Sequence, residues 1–430
     1  MKRALVLLAA LASASPARAT DGLGLNVHQS SGVGLDATKG ATLGWVRIDA
    51  NWVDVEKTQG QFDFTVLDAV VDGARSRGLS VLAVLGYGPA WASSGDALGD
   101  GPNNDVPQPG TYAAFVTAAV THFQDRVQYY ELWNEPNLQQ FFEGTPQNYL
   151  DEVLVPGADA LHAACATCKV VAPAVSTVGT EYATWLDAAL TGAQSKIDVV
   201  SGHDYAQFPQ DTPGAGGASD SFYNKLESHR IVKVGDTVVY EGPLSFKEVM
   251  DAHGATQPFW ITETGIEAPY GDEAAEATQT LYYRRVLESM LTRSWWQNTI
   301  FYEAFDEPPA QYHFGVCVDH PDAGLGDDEK PVMALLRKAV ANQPLFGGTN
   351  TDCNDGLDDD GDGLVDQADP DCANGTSEWL AEVDAGAAPD AGDAEGGGSG
   401  GGCDTSGGAP TALAALALGL ALLRSRAARA

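Results

Sequence analysis

Eight short apolar runs recur between residues 22 and 305, separated by stretches whose apolar residues fall at helical spacing. The runs are GLGLNVH (22–28), LGWVRIDANW (43–52), LSVLAVLGYGPAW (79–91), VQYYELWNE (127–135), KVVAPAVS (169–176), VVSGHDY (199–205), FWITETG (259–265) and TIFYEAF (299–305). Each reads as a buried strand. Between them FTVLDAVVDGARSRG (64–78), TYAAFVTAAVTHF (111–123) and ATQTLYYRRVLESMLTR (277–293) read as helices, and PVMALLRKAVAN (331–342) supplies a last one. Eight strands, each followed by a crossover, predict an α/β fold, a (β/α)8 TIM barrel over residues 20–346. A doubly wound open sheet is the rival. It usually carries a glycine-rich phosphate loop after its first strand, and GLNVHQSSGVG is not one. The connection from strand six to strand seven, about residues 206–258, is long. It holds a helical piece at 221–230 and a hairpin, IVKVGDTVVYEG, turning at Gly235-Asp236.

The segments flanking this body differ in composition. Residues 1–19 have a basic start at Lys2 and Arg3, a short apolar core from Ala4 to Ala12, and a small-x-small end at Ala17-Arg18-Ala19. That is the pattern of a secretory signal, which predicts export and allows disulfides. Cys165 and Cys168 form a C-x-x-C. A redox or zinc reading is open, but no second C-x-x-C or His pair lies nearby, so export favours a local disulfide. Cys353 and Cys372 bracket an acidic loop and are the other expected pair, leaving Cys317 and Cys403. The chain has 59 acidic and 24 basic residues, a formal net charge of −35. Nucleic acid is therefore excluded as an expected partner, because phosphate binding needs a basic surface. Sixteen of the acids lie between Asp352 and Asp404, with no Lys or Arg among them. Much of the acidity thus belongs to a tail.

In a barrel of this kind the site lies at the C-terminal ends of the strands. Glu135 ends strand four in YYELWNEPN (129–137), and Glu263 ends strand seven in WITETG (260–265). Strands four and seven lie on opposite sides of an eight-stranded ring, so the two carboxylates can face each other across its mouth. Two opposed carboxylates suit glycosidic bond cleavage: one protonates the leaving oxygen, and the other attacks the anomeric carbon or activates water. An isolated Glu is usually a solvated surface charge. Each of these is instead flanked by apolar and aromatic residues, where an unpaired charge is costly. Pro136 is expected to hold Glu135 in an extended conformation at the strand end.

WNEPN and WITETG resemble the retaining glycoside hydrolases of clan A, over about residues 22–345. The run VRIDANWVDVEKTQGQFDFTVLDAVVDGARSRGLSVLAVLGYGPAWA (46–92) resembles the family 39 β-xylosidase-like and related enzymes, with family 5 a neighbouring reading. The resemblance implies Glu135 as acid/base, Glu263 as nucleophile, and Asn134 as the donor to the sugar 2-hydroxyl. No cofactor is implied for catalysis. An ionised Glu263 would help the acid hold its proton, and glycosylation would remove that help for the base step. Arg47, near the end of strand two, resembles the arginine that pairs with the nucleophile; a surface salt bridge is its plainer reading. His203 and Tyr205 in GHDY resemble the clan's His-x-Tyr, with the tyrosine donating to Glu263 and the histidine near the acid/base. A satisfied core histidine is the alternative for His203. His28 and Tyr87 are candidates to line the sugar cleft. Trp91, Trp133 and Trp260 could stack on sugar rings, although aromatics near strands are more often core. Glu131 and Glu303 are expected to be structural partners of basic groups. Strand eight departs from the family: where many members carry a tryptophan platform, this chain reads FYEAFDE.

After residue 345 three further parts follow. Asp358, Asp360, Asp362, Leu364, Asp366 and Asp369 occupy the ligand positions of an EF-hand-like loop within 352–372, with Gly363 at the turn. Oxygen ligands at alternate positions suit a structural Ca2+, and the loop resembles thrombospondin type 3 repeats. A flexible acidic spacer is the alternative. Residues 373–402 read as a disordered linker. Residues 403–430 combine Cys403, an apolar run from Pro410 to Leu423, and Arg424, Arg426 and Arg429. This resembles the C-terminal sorting tag of myxobacterial surface proteins. It implies processing near Cys403 and display at the cell surface, with membrane anchoring through the tail; a weak membrane tail that stays uncut is the alternative. The expected partner of the whole is a polysaccharide or oligosaccharide. Two other classes stay open: a carbohydrate-binding barrel without turnover, and a calcium-dependent surface adhesin.

Overall fold

The computed structural model describes residues 22–340 except 31, 180, 206–224, 228–230, 235–236, 242–243, 307–311 and 319–328. The expected leader (1–19), the end of the expected catalytic domain (341–346), the calcium loop with Asp358 to Asp369, the linker and the C-terminal tag lie outside the described residues. So do the Cys353–Cys372 pair, Cys403, the turn at Gly235-Asp236 and most of the helical piece at 221–230.

Eight parallel strands close into one barrel: β1 (Leu23–His28), β2 (Trp45–Asn51), β3 (Ser80–Gly86), β4 (Tyr129–Leu132), β5 (Lys169–Ser176), β6 (Val199–His203), β7 (Phe259–Thr264) and β8 (Trp296–Phe301). Order around the ring follows order along the chain, and β1 closes on β8 with Leu23 opposite Thr299. This is the (β/α)8 TIM barrel that the eight apolar runs predict. The runs are nearly continuous because both faces of each strand are covered, the inner by the barrel core and the outer by helices. β7 is buried along its whole length.

A helix returns the chain after each strand: α1 (Val33–Gly40), α2 (Thr65–Ser76), α3 (Thr111–Phe123), α4 (146–164, with a π-type turn at Leu150–Leu154), α5 (Tyr182–Ala193), α6 (Phe246–Ala252), α7 (Glu273–Thr292) and α8 (Val332–Val340). α7 starts four residues before the sequence reading. Asp272 caps it there, its side chain accepting the N–H of Ala275 at 3.1 Å. The expected hairpin after β6 is present as Ile231–Val234 paired antiparallel with Thr237–Glu241. Cys165 and Cys168 are disulfide-bonded after α4. Cys317 is a buried thiol donating to the carbonyl of Ala304 at 3.1 Å. Among the described residues no helix is long and apolar enough to cross a membrane.

The barrel's interior is layered. Leu82, Val171, Val199 and Trp260 pack together with Trp45 and Tyr129, all near the strand starts, and plug the N-terminal end. Trp260 meets both Trp45 and Tyr129 with ring centroids 5.0 Å apart. Above that plug the interior turns polar, with Arg47, Glu131 and Thr262 fully or almost fully buried. This change of polarity places the chemistry at the opposite, C-terminal mouth.

Candidate active site

Glu135 follows β4, and Glu263 is the fifth residue of β7. The two strands are separated around the ring by β5 and β6, and His203, the last residue of β6, fills that gap. Ladder register puts His203 directly beside Glu263. One side-chain oxygen from each glutamate and a ring nitrogen of His203 all lie within 4.8 Å of one another, and all three residues are buried. His203 Nδ1 is 2.8 Å from Glu135 Oε1 and 3.5 Å from Glu263 Oε2. Its Nε2 has no hydrogen-bond partner among the described residues. Burial disfavours the charged imidazole, but the Glu263 and Glu135 carboxylates outweigh it and hold the His203 pKa above its ordinary value.

The backbone at Glu135 differs from the expectation drawn from Pro136. Its φ is +43°, in the left-handed region and not extended. The local preference imposed by proline is overridden by tertiary hydrogen bonds. The Glu135 N–H donates to the carbonyl of Ala174 on β5 at 3.1 Å, and the Trp133 N–H to that of Leu85 on β3 at 3.0 Å. Among the described non-glycine residues with positive φ, His28, Tyr87, Trp133, Glu135 and Ala174 sit at or close to the C-terminal strand ends. Strained conformations of this kind cost about 1–3 kcal/mol each and gather where a site over-determines them.

Arg47 is the third residue of β2, not near the strand end as the sequence suggests, and it reaches the mouth from inside the barrel. It is 1 % exposed, which rules out the surface salt bridge. Its Nε donates to Glu131 Oε2 at 2.8 Å, its Nη2 to Asn134 Oδ1 at 2.7 Å, and its Nη1 to Glu263 Oε1. Thr262 donates to the other oxygen of Glu131 at 2.7 Å. Glu131 thus fixes the guanidinium from below, as a structural partner. Asn134 Nδ2 donates to the Tyr87 hydroxyl at 2.9 Å, so both ends of the amide are oriented and one N–H is left for a ligand. Tyr205 donates to Glu263 Oε2 at 2.8 Å. Burial and the adjacent Glu263 charge push the Tyr205 pKa well up, so it stays a donor. Burial alone would raise the pKa of Glu263. His203, Arg47 and Tyr205 together outweigh it and hold this carboxyl below its ordinary value.

A second polar group flanks the first. His28 Nδ1 lies 2.9 Å from Asp49 Oδ2, and its Nε2 lies 2.7 Å from Glu303 Oε2. Burial opposes its charge, but Asp49 and Glu303 raise its pKa to about 10. Glu303 is not on the last strand, which ends at Phe301, but two residues beyond it. Sequence reasoning missed Asp49. Strand alternation was the available signal, since Asp49 lies two residues after Arg47 and so on the same face. Of the candidate stacking tryptophans, Trp133 is fully buried and donates to the carbonyl of Phe141, and Trp260 belongs to the plug at the far end of the barrel. Trp91 is half-buried against Trp52 and donates to the carbonyl of Glu56. Where a tryptophan platform was expected to be missing, Tyr302 packs edge-on against His28, Tyr205 and Phe314.

No known family model matches the sequence. Solved structures share its fold. A family 39 glycoside hydrolase from Bacteroides cellulosilyticus WH2 aligns with a TM-score of 0.54 at 17% identity, covering 74% of this chain and 63% of that one. A monomeric β-xylosidase from Caulobacter crescentus CB15 gives 0.53 at 18% identity, covering 75% and 68%. An exo-β-1,4-mannosidase from Opitutaceae bacterium strain TAV5 gives 0.51 at 16% identity, covering 75% and 59%. The chain spans less than two thirds of the first and last of these proteins. At such identities the likeness is one of fold: this chain has the closed parallel barrel on which these glycosidases are built.

Proposed function

We propose that the chain is a retaining glycoside hydrolase acting on a β-linked polysaccharide or oligosaccharide, with Glu263 as nucleophile and Glu135 as acid/base. The observation that carries this reading is the convergence of Glu135 and Glu263 oxygens within 4.8 Å. Retaining enzymes hold their two carboxyls about 5–5.5 Å apart, whereas inverting ones need about 6.5–9.5 Å to admit a water. The two environments also differ. Arg47 and Tyr205 donate to Glu263 and keep it anionic, while the side-chain neighbour of Glu135 is His203.

In the first step an oxygen of Glu263 attacks the anomeric carbon. The bond to the leaving oxygen breaks, and that oxygen takes a proton from Glu135. The product is a glycosyl ester on Glu263. Water then gives its proton to Glu135 and attacks the same carbon, releasing the sugar with its original configuration and restoring both side chains. The remaining N–H of Asn134 would hold a sugar hydroxyl beside the reacting carbon. The same Glu135, His203 and Glu263 atoms could in principle ligate a metal ion. An arginine seated on Glu263 already supplies the compensating charge, so the glycosidase reading fits the donor set better.

The test is an assay of the purified chain on aryl β-glycosides and soluble polysaccharides, xylan and mannan among them because the fold neighbours include a xylosidase and a mannosidase. Glu263→Gln is expected to abolish turnover while ligand affinity persists. Glu135→Gln is expected to lose about 10²–10⁴-fold in kcat/KM on poor leaving groups and far less in kcat/KM on nitrophenolates, whose departure needs no proton. NMR of the first-formed product should show the retained anomer. Activity that survives Glu263→Gln would sink the assignment of the nucleophile, and binding without turnover in the unaltered chain would favour the carbohydrate-binding reading. Export, display at the cell surface and calcium binding by the 352–372 loop are parts of the same proposal that rest on the sequence.

A further inference from the structure

The loops that follow β3 and β4 meet at the mouth of the barrel, and carboxylates from both converge there. Asp96 and Asp105 come from the first loop and Glu143 from the second. One oxygen of each lies within 4.8 Å of the other two. The loops are already joined by the Glu143 N–H on the carbonyl of Asn104 at 2.8 Å and by Asn104 Nδ2 on that of Gln139 at 3.1 Å. Several carboxylate oxygens are engaged. Ser93 donates to Asp105 Oδ2, the N–H groups of Ala97 and Leu98 to Glu143 Oε2 at 2.7 and 3.0 Å, and those of Gly99, Asp100 and Gly101 to Asp96.

The remaining oxygens point to a missing ligand. Asp105 is 2 % exposed, yet its Oδ1 is buried with no hydrogen-bond partner among the described residues. Glu143 is half-buried; its Oε1 is buried too, with the Asp100 carboxyl within side-chain hydrogen-bond reach of this glutamate. Buried acceptors of this kind are costly to leave bare. Among the described residues no cationic side chain pairs with any of the three acids. Instead Asp100 adds a further negative charge beside Glu143 and Asp105.

We infer that this junction is a calcium site, with Asp96, Asp105 and Glu143 as protein ligands and backbone carbonyls and water completing the shell. Two oxygens on opposite sides of one Ca2+, each about 2.3–2.6 Å from it, are up to about 5 Å apart, so three oxygens that all lie within 4.8 Å of one another can share one ion. The donors are all oxygen, with no His or Cys, so zinc and other nitrogen- or sulfur-seeking ions are disfavoured. Three carboxylates on irregular loops suit the flexible coordination of Ca2+ better than the strict octahedron of Mg2+. The ion would staple the loops after β3 and β4, which carry Tyr87 and Glu135. Glu143 lies eight residues after Glu135, and Phe141 between them accepts the Trp133 indole N–H and packs near Tyr87.

The test uses the full chain carrying Asp358→Asn, Asp360→Asn and Asp362→Asn, so that the acidic tail loop is silenced. Calorimetric titration of the chelator-stripped protein with CaCl2 is expected to give one ion per chain and to raise Tm. Adding Asp105→Asn and Glu143→Gln should weaken binding at least about 100-fold and remove the Tm rise, while leaving Tm in chelator unchanged or higher. No calcium bound by the tail-silenced chain at millimolar concentration would overturn the site. Binding that persists undiminished in the doubly altered chain would do the same.

Discussion

Glu263 carries its charge in a nearly closed setting, 8 % exposed, because three groups compensate it. Removing the gentlest of them tests the arrangement without disturbing the packing. Tyr205→Phe deletes a hydrogen bond to a charged acceptor, worth about 1.5–3 kcal/mol, or about one to two pH units. The Glu263 pKa is depressed, so activity that needs its anion is present above that pKa and lost as pH falls through it. Tyr205→Phe raises that pKa. The acid limb of kcat/KM is therefore expected to move to higher pH by about one unit, measured as a pH–rate profile. An acid limb that stays put would mean that the hydroxyl does not govern Glu263. Glu135, Glu263 and Arg47 were legible in the sequence because each sat as a charge among apolar residues, a signal that Asp49 also carried and that was missed. Glu135's left-handed backbone was not, because the proline rule describes one dipeptide, while the conformation is set by carbonyls on β3 and β5.

At the scale of elements, β6 and α6 are brought together by a missing side chain. A Cβ on Gly202 would lie 2.4 Å from Phe246 Cζ, so the helix rests on the strand only because that position is bare. Gly202→Ala is expected to cost about 1–3 kcal/mol as an overpacking change, measured by urea denaturation. A neutral result would show that α6 can shift outward freely. All eight strands were legible as apolar runs because a parallel barrel buries both strand faces. The helices were less so. The composite helix over 146–164 and the short α6 lack a clean amphipathic run, and α6 follows a long insertion that hides its pairing with β6. Arg47 was placed near the end of β2 because its role lies at the mouth, whereas it is the third residue of the strand and its long side chain covers the distance.

The whole molecule is closed by β1, and His28 at its end ties both neighbours, Asp49 on β2 and Glu303 beyond β8. Its pKa, raised to about 10 from an ordinary 6.5, links that closure to pH. Between those values the folded state binds a proton that the unfolded state does not, so stability falls as pH rises. The contribution is complete below about pH 6.5 and gone above about pH 10. Chemical denaturation across that window is expected to show the decline, and His28→Gln to flatten it. An unchanged slope in the variant would assign the decline elsewhere. The direction of α8 has a separate consequence. The helix runs back toward the strand starts, and Arg337 near its end donates to the carbonyl of Gly40, the last residue of α1, at 2.8 Å. Val340 therefore leaves the body on the side away from Glu135 and Glu263. Under the proposed display at a surface, a tether at that end would hold the barrel by its blind side and leave the mouth facing outward.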